Sequence, residues 1–122
     1  MRNPGASDLE KVASEARLPV TVLPMDVDDD ASVAGVLGRV ADSIDVLVNN
    51  AGIYSINAVE DESLEQYQRV MQTNYFGAVR CVKQLLPAMR KRGSGCVINV
   101  TSIAGRIAFM PARPSAPGTC TP

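Results

Sequence analysis

The run Val46-Leu47-Val48, followed at once by Asn49-Asn50-Ala51-Gly52, restricts the fold more than any other part of the chain. An unbroken β-branched and aliphatic stretch of this kind reads as a strand buried on both faces of a parallel sheet, which requires helices on either side. The two amides put donors and acceptors at the carboxyl end of that strand. Gly52 permits backbone angles and close approaches that a Cβ would forbid. In open α/β sheets ligands bind just outside the carboxyl ends of the strands, so low-bulk polar residues here point to a site. The same four residues also read as a simple strand-terminating turn.

The flanking segments supply the expected helices. Ser7-Asp8-Leu9-Glu10 has capping-box spacing, and Leu9, Val12, Ala13 and Ala16 form an apolar stripe, so a helix is expected to about Arg17. Val20 to Met25 reads as a strand. Asp28-Asp29-Asp30 fits the capped N-terminus of the next helix, which the macrodipole explains without a metal. Val33, Val36, Leu37 and Val40 form its inner face, and the strand Ile44 to Val48 follows. Ser63-Leu64-Glu65-Gln66 opens a second capped helix. Leu64, Tyr67, Met71, Ala78, Val82, Leu85 and Met89 recur at helical steps, predicting one long helix with a buried face. Asn74 falls on that stripe as a buried amide, which must be hydrogen-bonded and is either a polar bridge or part of a site. Pro87 is expected to kink or loosen the last turns, Lys91-Arg92 to complement the helix end, and Gly93 to stop it. Cys96 to Val100 is the next buried strand, ending in Thr101-Ser102. Alternating helices and strands imply an α/β fold with a parallel sheet and crossover helices.

Composition excludes several functions. With 12 basic and 13 acidic residues well mixed, nothing favours nucleic acid or an anionic membrane. Aromatic content of 4% offers no base-stacking platform. The absence of His removes Ser-His-Asp and Cys-His arrangements and most zinc sites. Cys81, Cys96 and Cys120 lack metal-ligand spacing and read as reduced thiols of a cytoplasmic protein. No apolar run reaches membrane-spanning length and no secretory signal opens the chain, so no membrane insertion is expected. The match of Asn99-Val100-Thr101 to a glycosylation acceptor lies inside a strand pattern and reads as chance.

Asp26-Val27, Asn49-Asn50-Ala51-Gly52, Asn74-Tyr75-Phe76-Gly77 and Val97 to Gly105 occur in an order and approximate spacing that resembles the short-chain dehydrogenase/reductase family, over Met1 to about Pro111. In detail the chain is similar to the branch containing retinol and hydroxysteroid dehydrogenases. The resemblance implies a Rossmann-like sheet and hydride transfer between NAD(P)(H) and a small carbonyl or alcohol substrate. By the same resemblance, Asp26 would accept from the adenine amino group, Val27 would pack on that ring, and Asn49, Asn50, Ala51 and Gly52 would line the ribose region. Asn74 would hold a water of a proton relay, and Ser102 would hydrogen-bond the substrate oxygen. Arg2 could meet the extra phosphate of NADP, which favours NADP over NAD, though it reads equally as an ordinary exposed arginine.

The departures from that family are equally informative. Its first strand, Gly-rich phosphate loop and nearly all of its second strand would precede Met1, which predicts a partial Rossmann-like sheet and weakened dinucleotide affinity. The family's catalytic tyrosine is expected roughly thirteen positions after Ser102, where Ser115 stands, and no Lys follows Lys91. A serine without an adjacent base is a poor proton donor near neutral pH. A partial dinucleotide-binding domain over 1–110 and a disordered, divergent tail over 111–122 are therefore expected. The missing strands would leave unpaired edges beside the remaining ones. Two functions follow: part of an oxidoreductase of this family, inactive as this chain, or a non-catalytic product that associates with another subunit through the 63–92 helix, giving a possible homo-oligomer.

Overall fold

The computed structural model describes residues 9–103, with side chains from residue 11 onward. Arg2, the Ser7 cap and the 111–122 tail lie outside them. In chain order the elements are α1 (Leu9–Glu15), α2 (Asp30–Val40), a 3-10 turn (Ala41–Ser43), β1 (Val46–Asn49), α3 (Leu64–Met71), a π-helical turn (Gln72–Phe76), α4 (Gly77–Arg92) and β2 (Cys96–Asn99).

The strands pair in parallel, with Val46 opposite Cys96 and Asn49 opposite Asn99. The whole α3–π–α4 segment forms the crossover between them, as a parallel ladder requires. One face of the sheet is covered. There Val33 and Leu37 of α2 meet Cys81, Leu85 and Met89 of α4, and Met25, Val27, Ile44, Leu47 and Val97 pack against this core. On the other face Val46, Val48 and Ile98 are about half exposed, so the described residues cover the strands on one side rather than on both as their apolar runs suggested.

Local signals set the helix ends. Asp29 accepts from the Ala31 N–H at 2.8 Å and caps α2. Ser63 accepts from the Gln66 N–H at 3.1 Å and caps α3. Gly93, at φ 72°, ends α4 in the left-handed conformation, with its N–H on the Arg90 and Met89 carbonyls. Arg92 does more than complement the helix dipole. Its Nη1 donates to the Ala41 and Asp42 carbonyls at 3.0 and 3.2 Å, and its Nη2 reaches the Ile44 carbonyl, so it fastens α4 to the segment that enters β1.

Several expectations are corrected. Val20 to Met25 forms no strand: among the described residues the sheet has only β1 and β2. β1 begins at Val46 rather than Ile44. In α1 Ala13 is buried but Val12 is exposed. The long helix stays helical from Leu64 to Arg92, but a π turn at Gln72–Phe76 divides it into α3 and α4. Leu64, Tyr67 and Met71, assigned to its buried face, are exposed, since α4 rather than α3 packs on α2 and β1. The buried line through the second half runs Thr73, Gly77, Cys81, Leu85, Met89. Pro87 does not interrupt α4, which continues through it to Arg92.

Candidate functional site

Both strands end in asparagines, and the register sets these side by side. Asn49 Nδ2 donates to Asn99 Oδ1 at 2.9 Å, and the ladder closes with the Val100 N–H on the Asn49 carbonyl at 2.9 Å. Beyond this pair the chain leaves the sheet as two loops, 50–55 after β1 and 100–103 after β2. The π turn stands beside them.

Asn74, in the middle of the π turn, closes the arrangement. Its Oδ1 accepts from the Ile53 N–H at 2.8 Å, and its Nδ2 donates to the Ile53 carbonyl at 2.9 Å. Asn74 is exposed, not buried, so the bridge reading holds while the buried placement does not. A π turn inserts an extra residue into a helix and turns a side chain away from the regular stripe, a device frequent at functional sites. Here it directs Asn74 at the loop after β1. One lone pair on Oδ1 and one hydrogen on Nδ2 remain beyond the two bonds to Ile53.

The result is a cavity of about 590 Å³ in which Asn50, Ala51, Gly52, Asn74, Thr101 and Ser102 meet, with Ile53, Tyr54, Val70 and Val100 as apolar walls. A second cavity of about 380 Å³ lies toward α4, where Asn49, Ala51 and Asn74 are joined by Val79, Lys83 and Thr101. Ala51 and Asn74 line both. Gly52 does not need to be glycine on the grounds given by the sequence. Its φ is not positive, and a Cβ there would lie 3.5 Å from Asn74 Oδ1, an ordinary contact.

Asp26 and Val27 line neither cavity. Both are half-buried at the start of the turn into α2, where the Asp26 N–H donates to Ser32 Oγ at 2.9 Å and Asp26 Oδ1 accepts from the Asp28 N–H at 3.1 Å. Val27 presses on the far end of the π turn: a Cβ on Gly77 would lie 3.0 Å from Val27 Cγ2. That close approach favours glycine, and the expected adenine-side pair is thereby joined to the Asn74 turn. Thr73 and Arg80, which complete that junction, were missed by the sequence reading. Thr73 is a polar residue on the buried line and could have been noticed as such; Arg80 carries no local signal.

On the opposite rim the loop is held by a polar cluster. The Ser55 hydroxyl and Asn57 Nδ2 both donate to Glu62 Oε2. The Ser55 hydrogen bond, helped by Asn57 and the Ser63 N–H and opposed by slight burial, holds the Glu62 carboxyl below its usual value. Among the described residues no cluster of His, Cys, Asp or Glu could hold a metal, and no helix is long and apolar enough to cross a membrane.

Residues 2–113 match the short chain dehydrogenase family. The chain is 43% identical to human retinol dehydrogenase 8 over 107 residues, covering 86% of this chain and 34% of that protein. It spans about a third of the length of the curated relatives it matches. Among solved structures, a short-chain dehydrogenase from Streptomyces avermitilis superposes with a TM-score of 0.79 at 31% identity, covering 89% of this chain and 41% of that one. The closed form of serine dehydrogenase complexed with NADP+ superposes with a TM-score of 0.73 at 28% identity, covering 83% and 42%.

Proposed function

Because the chain belongs to the short-chain dehydrogenase family, we propose that its cavity at the strand ends is the nicotinamide-side part of a dinucleotide-dependent oxidoreductase site. The observation that carries this reading is the convergence of Asn50, Ala51, Gly52, Asn74 and Ser102 on one cavity at the carboxyl end of a parallel sheet. The residues fit the group. Amides and hydroxyls suit a carboxamide and sugar hydroxyls, and Ile53, Val70 and Val100 suit the face of a flat ring. The dinucleotide supplies hydride chemistry; the protein binds, orients and moves a proton. Ser102 would donate to the oxygen of a small carbonyl or alcohol substrate, and Asn74 would hold a water with the lone pair and hydrogen left over from Ile53. Asp26 and Val27 would receive the adenine.

NADP is taken over NAD because of Arg2. The family's proton-transferring tyrosine has no counterpart at Ser115, so the reading assigns turnover to a longer form and expects none from these 122 residues alone. A retinol-like alcohol is the substrate class that the similarity to retinol dehydrogenase 8 favours. A cytoplasmic setting accords with Cys81 and Cys96 both being free thiols.

Calorimetric titration of the chain with NADPH and NADH, alongside its circular dichroism spectrum, tests the reading. Saturable binding is expected, tighter for NADPH, with no loss of NADPH absorbance when a carbonyl substrate is added. A folded sample that takes up neither dinucleotide would overturn it.

A second reading, association through the 63–92 helix, is favoured by a line of exposed apolar side chains. Tyr67, Met71, Tyr75 and Val79 are 41%, 49%, 55% and 36% exposed and follow one another along α3, the π turn and α4. Light scattering is expected to report a dimer that Met71→Glu dissociates; a monomer at all concentrations would rule this out.

A further inference from the structure

Arg80, in the first turn of α4, is 21% exposed and touches two separate parts of the chain, the 26–30 loop and the π turn. Its Nε lies 2.5 Å from Asp30 Oδ1 at the start of α2. Its Nη1 donates to the Val27 carbonyl at 3.3 Å and to the Gln72 carbonyl at 3.4 Å, and its Nη2 donates to Gln72 Oε1 at 2.8 Å. The Gln72 carbonyl also accepts the Gly77 N–H, the hydrogen bond that closes the π turn. A planar guanidinium is suited to this task, because its donors diverge in a fixed fork.

Two further contacts link the same pieces. Thr73, 5% exposed, donates through Oγ1 to Asp28 Oδ2 at 2.9 Å. Gly77 admits Val27 at a distance that any Cβ would crowd. The 26–30 loop is thus tied to the π turn by an arginine fork, a buried hydroxyl and a close backbone approach. Asn74, inside that turn, holds both backbone groups of Ile53.

We propose that Arg80 is a positioning residue of the site: it makes the Asp26–Val27 loop and the π turn one unit, so that occupancy of that loop is felt at the Asn74–Ile53 contact. The functional meaning rests on the reading of Asp26 and Val27 as the adenine contact; the mechanical link from Arg80 to Ile53 does not. A π turn has no intrinsic preference to persist, and loosening its closing carbonyl lets Asn74 withdraw from Ile53. The cavity wall then opens without unfolding α4, whose core residues Leu85 and Met89 lie further along the helix.

Amide hydrogen exchange by NMR on the full chain tests this. In Arg80→Gln without ligand, the Ile53 amide is expected to exchange about tenfold faster, as loss of a charge-assisted contact predicts, while Leu85 and Met89 keep their protection. Arg80→Lys should recover part of the loss, since an ammonium reaches Asp30 but cannot span the fork. If Arg80→Gln does not fold, Gln72→Ala and Asp30→Asn each remove one partner and should accelerate Ile53 alone. Unchanged Ile53 exchange in the folded variants, or equal acceleration of Leu85 and Met89, would overturn the inference. Added NADPH should further protect Ile53 in the wild type and not in Arg80→Gln. Failure of NADPH to bind the wild type counts against the cofactor reading, while Arg80's control of Asn74 stands or falls on the ligand-free exchange.

Discussion

Asn74 holds Ile53 by both backbone groups, accepting its N–H at 2.8 Å and donating to its carbonyl at 2.9 Å, so that a side chain in a helix stands in for a strand partner. This replaces part of the ladder that β1 lost when it ended at Asn49. Asn74→Ala removes both bonds and is expected to cost about 1–2 kcal/mol, read as a lower urea midpoint at unchanged slope. Asn74→Asp keeps the acceptor but sets a carboxylate oxygen against the Ile53 carbonyl. It should therefore be worse than Ala at neutral pH and recover on acidification, when the protonated carboxyl can donate. Equal stability of the wild type and both variants would show that the contact contributes nothing.

Gly95 and Gly93 stand close together after α4, yet their substitutions should differ. A Cβ on Gly95 would lie 2.6 Å from Met89 Cγ, and Met89 is 5% exposed within the core. Gly95→Ala is expected to cost about 1–3 kcal/mol by overpacking. Gly93, at φ 72° with open space around it, should lose only about 1 kcal/mol on change to Ala. In a Met89→Ala background the Gly95→Ala penalty should shrink, a non-additivity that a double-mutant cycle measures.

Glu62 provides a pH test. Its folded value is depressed by the Ser55 hydrogen bond, so its contribution is fully present above the unfolded value of 4.5 and fades as pH falls through the lower folded value. Glu62→Gln should lower the urea midpoint slightly at neutral pH and leave the acid limb shallower than in the wild type. Because Glu62 is only half-buried, solvent screening keeps the effect small. Identical acid limbs would remove any role for the carboxylate in holding the loop.

The two described thiols should separate cleanly. Burial pushes the Cys81 thiol up, with partial opposition from the neighbouring Arg80 charge, and Cys81 is 3% exposed. Cys96 is exposed at the start of β2. Iodoacetamide at mildly alkaline pH, followed by peptide mapping, is expected to label Cys96 first and Cys81 only after denaturant is added. Comparable labelling of both in the native chain would contradict the packing of α4 on α2.

Much of this protein is written locally. Asp29, Ser63 and Gly93 mark helix ends because each satisfies backbone groups within a few residues of itself, so a reader of the sequence alone finds them. The apolar run at Val46 and the amides after it announce a parallel strand with a site at its end, and the cavity stands there. What the sequence overstated was coverage. Val46, Val48 and Ile98 have the composition of a strand buried on both faces, but burial is a property of the partner, which a strand cannot specify by itself. The π turn was illegible for a related reason. Gln72 to Phe76 have unremarkable helical composition, and the contacts around the turn come from Val27, Asp28 and Ile53, all far along the chain. Capping and periodicity act over one or two turns and leave a pattern. A guanidinium that reaches across fifty positions to Asp30 leaves none, and only the packed tertiary structure decides where it points.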